Sequence, residues 1–426
     1  MFKGLRWFMI ALLFVGGGIS YLDRAALSIA APLISKDLNL DPAQLGIIFS
    51  SFFFGYALFC FVGGWASDRI GAKNVFTLSM TVWSVFCGLT AATFSIASLL
   101  VVRVIFGMGE GPFSSTANKF VSNWFPRREQ ASAVGMANAG QPLGAALAGP
   151  LVGFIAVSYS WRAAFVVVAL VGLLWVAAWV VLATDRPEQH LKLTTAERAD
   201  IMQPVRNELA PPAVNTLGEL LRRPAILATA FAFFGYAYIL YFFLSWFPSY
   251  LTMVHHLSIQ RMGVVSVIPW LVGFVGLASG GFVCDYVYRL TGRPLFARKL
   301  VLVSSLIIAA VCVALAGVVV SVYGVVALMA VSVFFMYLTA STYWAIILDT
   351  VEPGRVGGVS GFVHMIANCA GIVAPALTGY LVEWTGSFSS AFVVTGGIAV
   401  AGALAVAVFV RAPAAVTARV ADIAPA

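Results

Sequence analysis

The sequence predicts an all-α membrane protein: twelve transmembrane helices in two six-helix bundles that repeat one another. Three observations predict it. The 426 residues are 61% hydrophobic and only 10% charged, which is more apolar surface than a soluble domain can hide, because a soluble exterior needs charge. Apolar windows recur at the length a bilayer demands, about 20 residues per helix. One long polar segment, 184–223, divides the series six to six.

The spans are expected at 6–33, 43–70, 74–95, 97–125, 131–158 and 161–183, then at 225–253, 259–288, 298–321, 323–350, 356–383 and 388–411. The bundles are thus 1–183 and 224–411, with 184–223 a cytoplasmic linker and 412–426 a cytoplasmic tail. The linker holds Asp185, Glu188, Lys192, Glu197, Arg198, Asp200, Arg206, Glu219, Arg222 and Arg223, with Pro204, Pro211 and Pro212. Span 1 carries Asp23-Arg24 and is too long and too charged for a cleavable signal. Span 4 carries Arg103 and Glu110. Span 5 is rich in small residues (Gly135, Gly140, Gly144, Gly149), which let helix backbones approach closely. Span 7 is crowded with aromatics, from Phe231 to Phe247.

Orientation follows from lysine and arginine. With the N-terminus inside, inside segments hold nineteen of these residues and outside loops only Lys36, Arg162 and Arg261. Both termini are therefore expected in the cytoplasm. The net charge of +8 marks topology and not a nucleic-acid surface. The five cysteines all fall in apolar segments without metal or redox spacing, so no disulfide, metal or organic cofactor is expected. His255-His256 is read as a solvated loop pair.

Four intramembrane charges carry the functional reading. An ionisable group at bilayer depth costs roughly 2.5–3.5 kcal/mol on insertion scales, so it serves a cavity or a partner. Asp23 and Arg103 lie at similar depths from the same side, which predicts an ion pair between spans 1 and 4. Arg103 and Glu110, seven apart, share a helix face. Burial disfavours a charged carboxylate and a neighbouring guanidinium favours it, so Asp23 and Glu110 are suited to exchange protons. Arginine keeps its proton and presents a planar fork to an anion, a role open to Arg24 or Arg103. A permanent salt-bridge cluster locking spans 1 and 4 is the structural alternative. Tyr21, Tyr56 and Gln141 are candidate substrate contacts. In the second half no charge lies deep, and the polar candidates are Tyr236 and Tyr241 in span 7, Ser341, Tyr343 and Trp344 in span 10, and Asn368 in span 11, with His364 one turn before Asn368.

The loop Gly64-Trp65-Ala66-Ser67-Asp68-Arg69-Ile70-Gly71-Ala72-Lys73, its weaker copy Gly281-x-x-x-Asp285, and the six-linker-six layout resemble the major facilitator superfamily. Tyr21-Leu22-Asp23-Arg24, Arg103-x-x-x-Gly107-x-Gly109-Glu110-Gly111, Asn123–Glu129 and Trp161-Arg162-x-x-Phe165 resemble its anion:cation symporter family, which includes bacterial galactonate, glucarate and hexuronate carriers. That resemblance implies a functional monomer in the bacterial inner membrane, importing a small organic anion with protons by alternating access. A sugar acid (aldonate, aldarate or hexuronate) is the expected class. It implies proton coupling at Asp23 and Glu110 and anion binding at the arginines. Asp68, Arg69 and Asp285, at cytoplasmic helix ends, are expected to act as a latch. Another carboxylate, aromatic or dicarboxylic, or proton-driven efflux is the alternative. A non-transporting sensor or intramembrane enzyme lacks its signalling domain or its nucleophile–base or metal motif here.

Overall fold

The computed structural model describes residues 4–190, 216–351 and 356–411. Expectations for Lys192 through Pro212 in the linker, and for the tail 412–426, lie outside the described residues. Among the described residues all regular structure is helical, and twelve helical segments are long and apolar enough to cross a membrane. Their bounds follow the predicted windows, from Leu5–Leu38 for span 1 to Ser389–Phe409 for span 12.

Four spans are broken, and proline accounts for three of the breaks. Span 4 is Ile96–Glu110 followed by Phe113–Trp124, span 5 is Arg127–Asn138 then Gly140–Ser158, and span 8 is Ile259–Val265 then Val267–Thr291. Pro112, Pro142 and Pro269 each lack the N–H that would bond four residues back, near or at these breaks. In span 10, Val322–Leu338 gives way to Thr342–Thr350. There Thr339 Oγ1 donates to Met336 O at 2.7 Å and Thr342 Oγ1 to Thr339 O at 2.6 Å, side-chain bonds that compete with the helical ladder. Spans 2, 4, 6 and 8 open on side-chain caps at Asp41, Ser95, Ser160 and Ser258, which satisfy N–H groups the first turn leaves unbonded.

The chain forms two compact units. The first comprises Met1–Arg206, Phe242–Leu271 and Ile372–Phe388; the second comprises Asn207–Tyr241, Val272–Gly371 and Ser389–Ala426. Spans 7, 8 and 11 therefore pass from one unit to the other along their length.

At the end of the first unit where spans 2 and 8 begin, helices meet backbone to backbone. A Cβ on Gly149 would lie 2.1 Å from Gly263 O, and one on Gly46 2.6 Å from Pro375 O. Ser50 Oγ donates to Ile372 O at 2.7 Å and Trp246 Nε1 to Pro375 O at 3.0 Å. The space left among Ser28, Ala145, Phe247 and Trp270 is only about 10 Å³, roughly one water.

Candidate functional site

Span 4 is the axis on which the charged site is built. A Cβ on Gly107 would sit 2.0 Å from Phe52 O, one on Gly111 2.6 Å from Tyr56 O, and one on Gly55 2.1 Å from Val104 O. Spans 2 and 4 are thus held at backbone contact, and no larger residue fits without moving a helix. Gly109 faces span 3 in the same way: a Cβ there would lie 2.7 Å from Trp83 N. These contacts fix the rotation of span 4 and turn Arg103 and Glu110 inward.

All four intramembrane charges are buried, with exposures of 1% for Asp23, 8% for Arg24, 4% for Arg103 and 0% for Glu110. The ion pair joins Arg24 to Glu110, with Nε 2.6 Å from Oε1. Ser20 Oγ donates to the same oxygen at 2.5 Å. The expected Asp23–Arg103 pair does not form: neither residue has an ion-pair partner among the described residues. Asp23 and Arg24 are adjacent, and helix geometry sends adjacent side chains about 100° apart. Only one of them can point straight at span 4, and Arg24, four residues after Ser20, takes that face.

Arg103 lies instead between aromatic rings, its guanidinium carbon 5.2 Å from the centre of Phe52 and 4.7 Å from that of Phe106. Arg24 is surrounded likewise by Tyr21, Phe52 and Tyr56, at 5.1, 5.0 and 4.6 Å. Ring faces carry negative charge density and stabilise a dry guanidinium without neutralising it. Three polar atoms of this cluster remain without a hydrogen bond: Asp23 Oδ1, Glu110 Oε2 and Arg103 Nε. Buried groups of this kind are costly unless something completes them, so the cluster is suited to receive a polar guest.

Ser20 and Phe52 belong to this site and were not foreseen. Ser20 and Phe52 had a signal: each stands four residues before a predicted site residue, Arg24 and Tyr56, on the same face. Gln141 finds its hydrogen-bond partner within span 5. Its Nε2 donates to Asn138 Oδ1 at 3.3 Å, and its side chain approaches Gly17 across the contact of spans 1 and 5.

The second unit brings its candidates together without charge. Asn368 Oδ1 accepts from Tyr241 Oη at 3.0 Å, and its Nδ2 donates to His364 O at 2.9 Å. Tyr343 stacks on Phe233 with ring centres 4.4 Å apart, and Trp344 meets Phe233 edge-on at 5.5 Å and His364 at 5.7 Å. Tyr343 is fully buried, whereas Ser341 and Trp344 are exposed.

Of the latch residues, Asp68 pairs with Lys119 Nζ at 2.7 Å. Arg69 stacks on Trp65 at 4.1 Å. Both line a polar cavity of about 440 Å³ with Lys73, Asp185 and Arg186. Gly71 adopts φ +86, and the Asp185 carboxylate occupies the place a side chain would need, accepting from Lys73 N at 3.1 Å. Asp285 is exposed and has no ion-pair partner among the described residues; in that unit Arg298 pairs with Asp349 instead. Among the described residues no group of His, Cys, Asp and Glu is placed to hold a metal ion.

Known proteins match this architecture. The family model of the Major Facilitator Superfamily matches residues 13–297 and 286–425. The hexuronate transporter of Bacillus subtilis is 51% identical over 413 residues, covering 96% of each chain. The probable galactarate/D-glucarate transporter GudP of the same organism is 32% identical over 420 residues, covering 94% of this chain and 90% of its own. The solved structure of a D-xylose-proton symporter superposes with a TM-score of 0.74 at 16% identity, over 95% of this chain and 97% of that one; it speaks to the fold alone. With the family model spanning nearly the whole sequence, the chain belongs to the Major Facilitator Superfamily and is a multi-pass membrane transporter, not an enzyme.

Proposed function

We propose that this transporter is a proton-coupled symporter that imports a sugar acid, with hexuronates the leading substrates. The observation that carries the reading is the buried cluster of Asp23, Arg24, Arg103 and Glu110. It sets two carboxylates beside two permanent cations, the pairing that an anion–proton symporter needs. The 51% identity to a hexuronate transporter selects the substrate class.

In this mechanism Arg103 grips the substrate carboxylate with its fork, and Tyr21, Tyr56 and Gln141 offer contacts to hydroxyls. Substrate charge and the Glu110 charge compete for Arg24, so binding and protonation are linked. With Asp23 and Glu110 protonated, the loaded carrier can reorient without dragging uncompensated carboxylate charge. Loss of the protons on the cytoplasmic side weakens anion binding and releases the cargo. Ser341, Tyr343, Trp344 and Asn368 read the rest of the substrate. Asp68, Arg69 and Asp285 serve in the conformational latch. The protein works as a monomer in the bacterial inner membrane, both termini cytoplasmic, with no cofactor beyond the coupling proton.

The test is uptake into proteoliposomes under an inward proton gradient. The panel is glucuronate, galacturonate, galactonate, glucarate, an aromatic acid and a neutral sugar. Accumulation of a hexuronate that collapses with the gradient is the expected result. Gradient-independent equilibration would remove proton coupling, and accumulation of another acid alone would move the substrate class.

A further inference from the structure

We propose that Asp185 is a positioning residue for the cytoplasmic latch: reaching back from the end of span 6, its carboxylate supplies the N-terminal cap that span 3 cannot make for itself. The inference rests on the latch role given above to Asp68 and Arg69. Spans 2, 4, 6 and 8 each take a side-chain cap from the residue just before the helix. The residue before span 3 is Gly71, at φ +86 and ψ 148. Serine, threonine, asparagine and aspartate cap from an extended backbone at negative φ, and the conformation of Gly71 is one that only glycine adopts at low cost. A local cap is therefore excluded. Asp185 Oδ1 accepts instead from Lys73 N at 3.1 Å, across 112 residues of chain. Lys73 is the second residue of the helix, one of the two positions whose N–H a capping side chain ordinarily takes.

The surroundings hold the carboxylate in that place. A Cβ on Gly71 would meet Asp185 Cγ and Oδ1 at 2.8 Å and Oδ2 at 2.9 Å, so a side chain at Gly71 and the borrowed carboxylate would claim the same space. The backbone beside Asp185 is pinned to span 4: Trp124 Nε1 donates to Thr184 O at 3.2 Å and Asn123 Nδ2 to Asp185 O at 3.4 Å. Span 3 is pinned to span 6 just above, where Lys73 Nζ donates to Val180 O at 2.9 Å and Trp179 Nε1 to Lys73 O at 3.3 Å. The inner ends of spans 3, 4 and 6 thus close around one carboxylate, whose charge suits the positive end of the span 3 dipole. The turn it holds follows Asp68 and Arg69 directly, and Asp68 reaches span 4 through Lys119. Without the cap the first turn of span 3 is free to unwind, and the latch side chains lose the fixed backbone on which they stand. Asp185 touches no substrate in this reading; it acts through the turn.

The experiment measures hexuronate uptake in proteoliposomes, per folded transporter, for wild type, Asp185→Ala, Asp185→Asn, Asp185→Glu, Asp68→Asn and Asp68→Asn combined with Asp185→Ala. Hydrogen exchange of the peptide bearing Lys73, which needs no substrate, is followed in parallel. Asparagine keeps an acceptor oxygen in place without the charge. Glutamate keeps the charge but adds a methylene where the fold leaves no room for one. Removing a helix cap changes an equilibrium by about fivefold. Vmax should therefore fall about that much in Asp185→Ala and Asp185→Glu, with KM unchanged and exchange at the start of span 3 faster. Asp185→Asn should stay near wild type in both measurements, and Asp185→Ala should add nothing to Asp68→Asn. Should Asp185→Ala fail to fold, the contrast between asparagine and glutamate decides by itself. Wild-type Vmax in Asp185→Glu, equal damage from asparagine and glutamate, or a further fall in the double variant overturns the assignment. The latch reading fails separately: if Asp68→Asn alone keeps wild-type Vmax, Asp68 holds no latch, and the positioning role of Asp185 goes with it.

Discussion

The two units solve the same problem, polar side chains at bilayer depth, with different chemistry. In the first, four charged groups crowd around span 4 and are held by one ion pair, one serine and a sleeve of aromatic rings. In the second, the deep polar groups are neutral, and Asn368 meets its needs with Tyr241 and a backbone carbonyl. Ionic interactions are strong in a dry medium and change with protonation, whereas amide and hydroxyl bonds are modest and do not titrate near neutrality. On the proposed reading, coupling belongs to the first unit and recognition of shape and hydroxyls to the second, so the two are separable by mutation.

The largest expected effect comes from Glu110→Gln. The amide keeps the shape and a partner for Ser20 but cannot take up or release a proton. Gradient-driven accumulation should fall to equilibration, while exchange of labelled for unlabelled substrate persists. Persistent accumulation would break the comparison at its strongest point. Next is Arg103→Lys, in which an ammonium replaces a planar fork. The apparent KM should rise by about tenfold or more, the scale of one lost charge-assisted bond. An unchanged KM would transfer the anion to Arg24.

How far the site could be read from the sequence follows the same division. Charge at bilayer depth is expensive, so Asp23, Arg24, Arg103 and Glu110 announced themselves wherever the helices fell. Which of them pair was not legible, because pairing depends on the rotation of span 4, which is set by Gly107, Gly109 and Gly111 against backbones of spans 2 and 3. Neutral partners were harder still. Ser20 looks like any helix serine until Glu110 is placed beside it. Asp185 looked like a linker charge, yet it sits against Gly71 at the start of span 3. The twelve spans were legible from hydropathy alone. The passage of spans 7, 8 and 11 between compact units was not, because it is a property of packing along a helix.

A smaller effect sharpens the contrast from the other side. Tyr241→Phe removes the donor to Asn368 Oδ1 and leaves the ring. One neutral hydrogen bond is worth about 1 kcal/mol, so KM should change roughly fivefold and discrimination among sugar-acid epimers should loosen. The pH profile should not move. A displaced profile would mean that the neutral unit also takes part in coupling.

The smallest effect is a control on pH dependence itself. His255 lies in the connection between spans 7 and 8, its Nε2 3.1 Å from Tyr250 Oη. Partial burial, and the neighbouring His256, hold its proton affinity below that of an ordinary histidine. The neutral ring is therefore the form the fold favours. Its contribution to stability is complete above the ordinary value, about 6.5, and is lost as pH falls through the lower folded value. His255→Asn removes this linkage. The drop in thermal midpoint between pH 7.5 and pH 5.5 should shrink, on the order of 1 °C for so exposed a group, while the transport profile stays fixed. Were the profile to move as well, acid sensitivity of uptake would belong in part to this loop, and the buried carboxylates would no longer account for it alone.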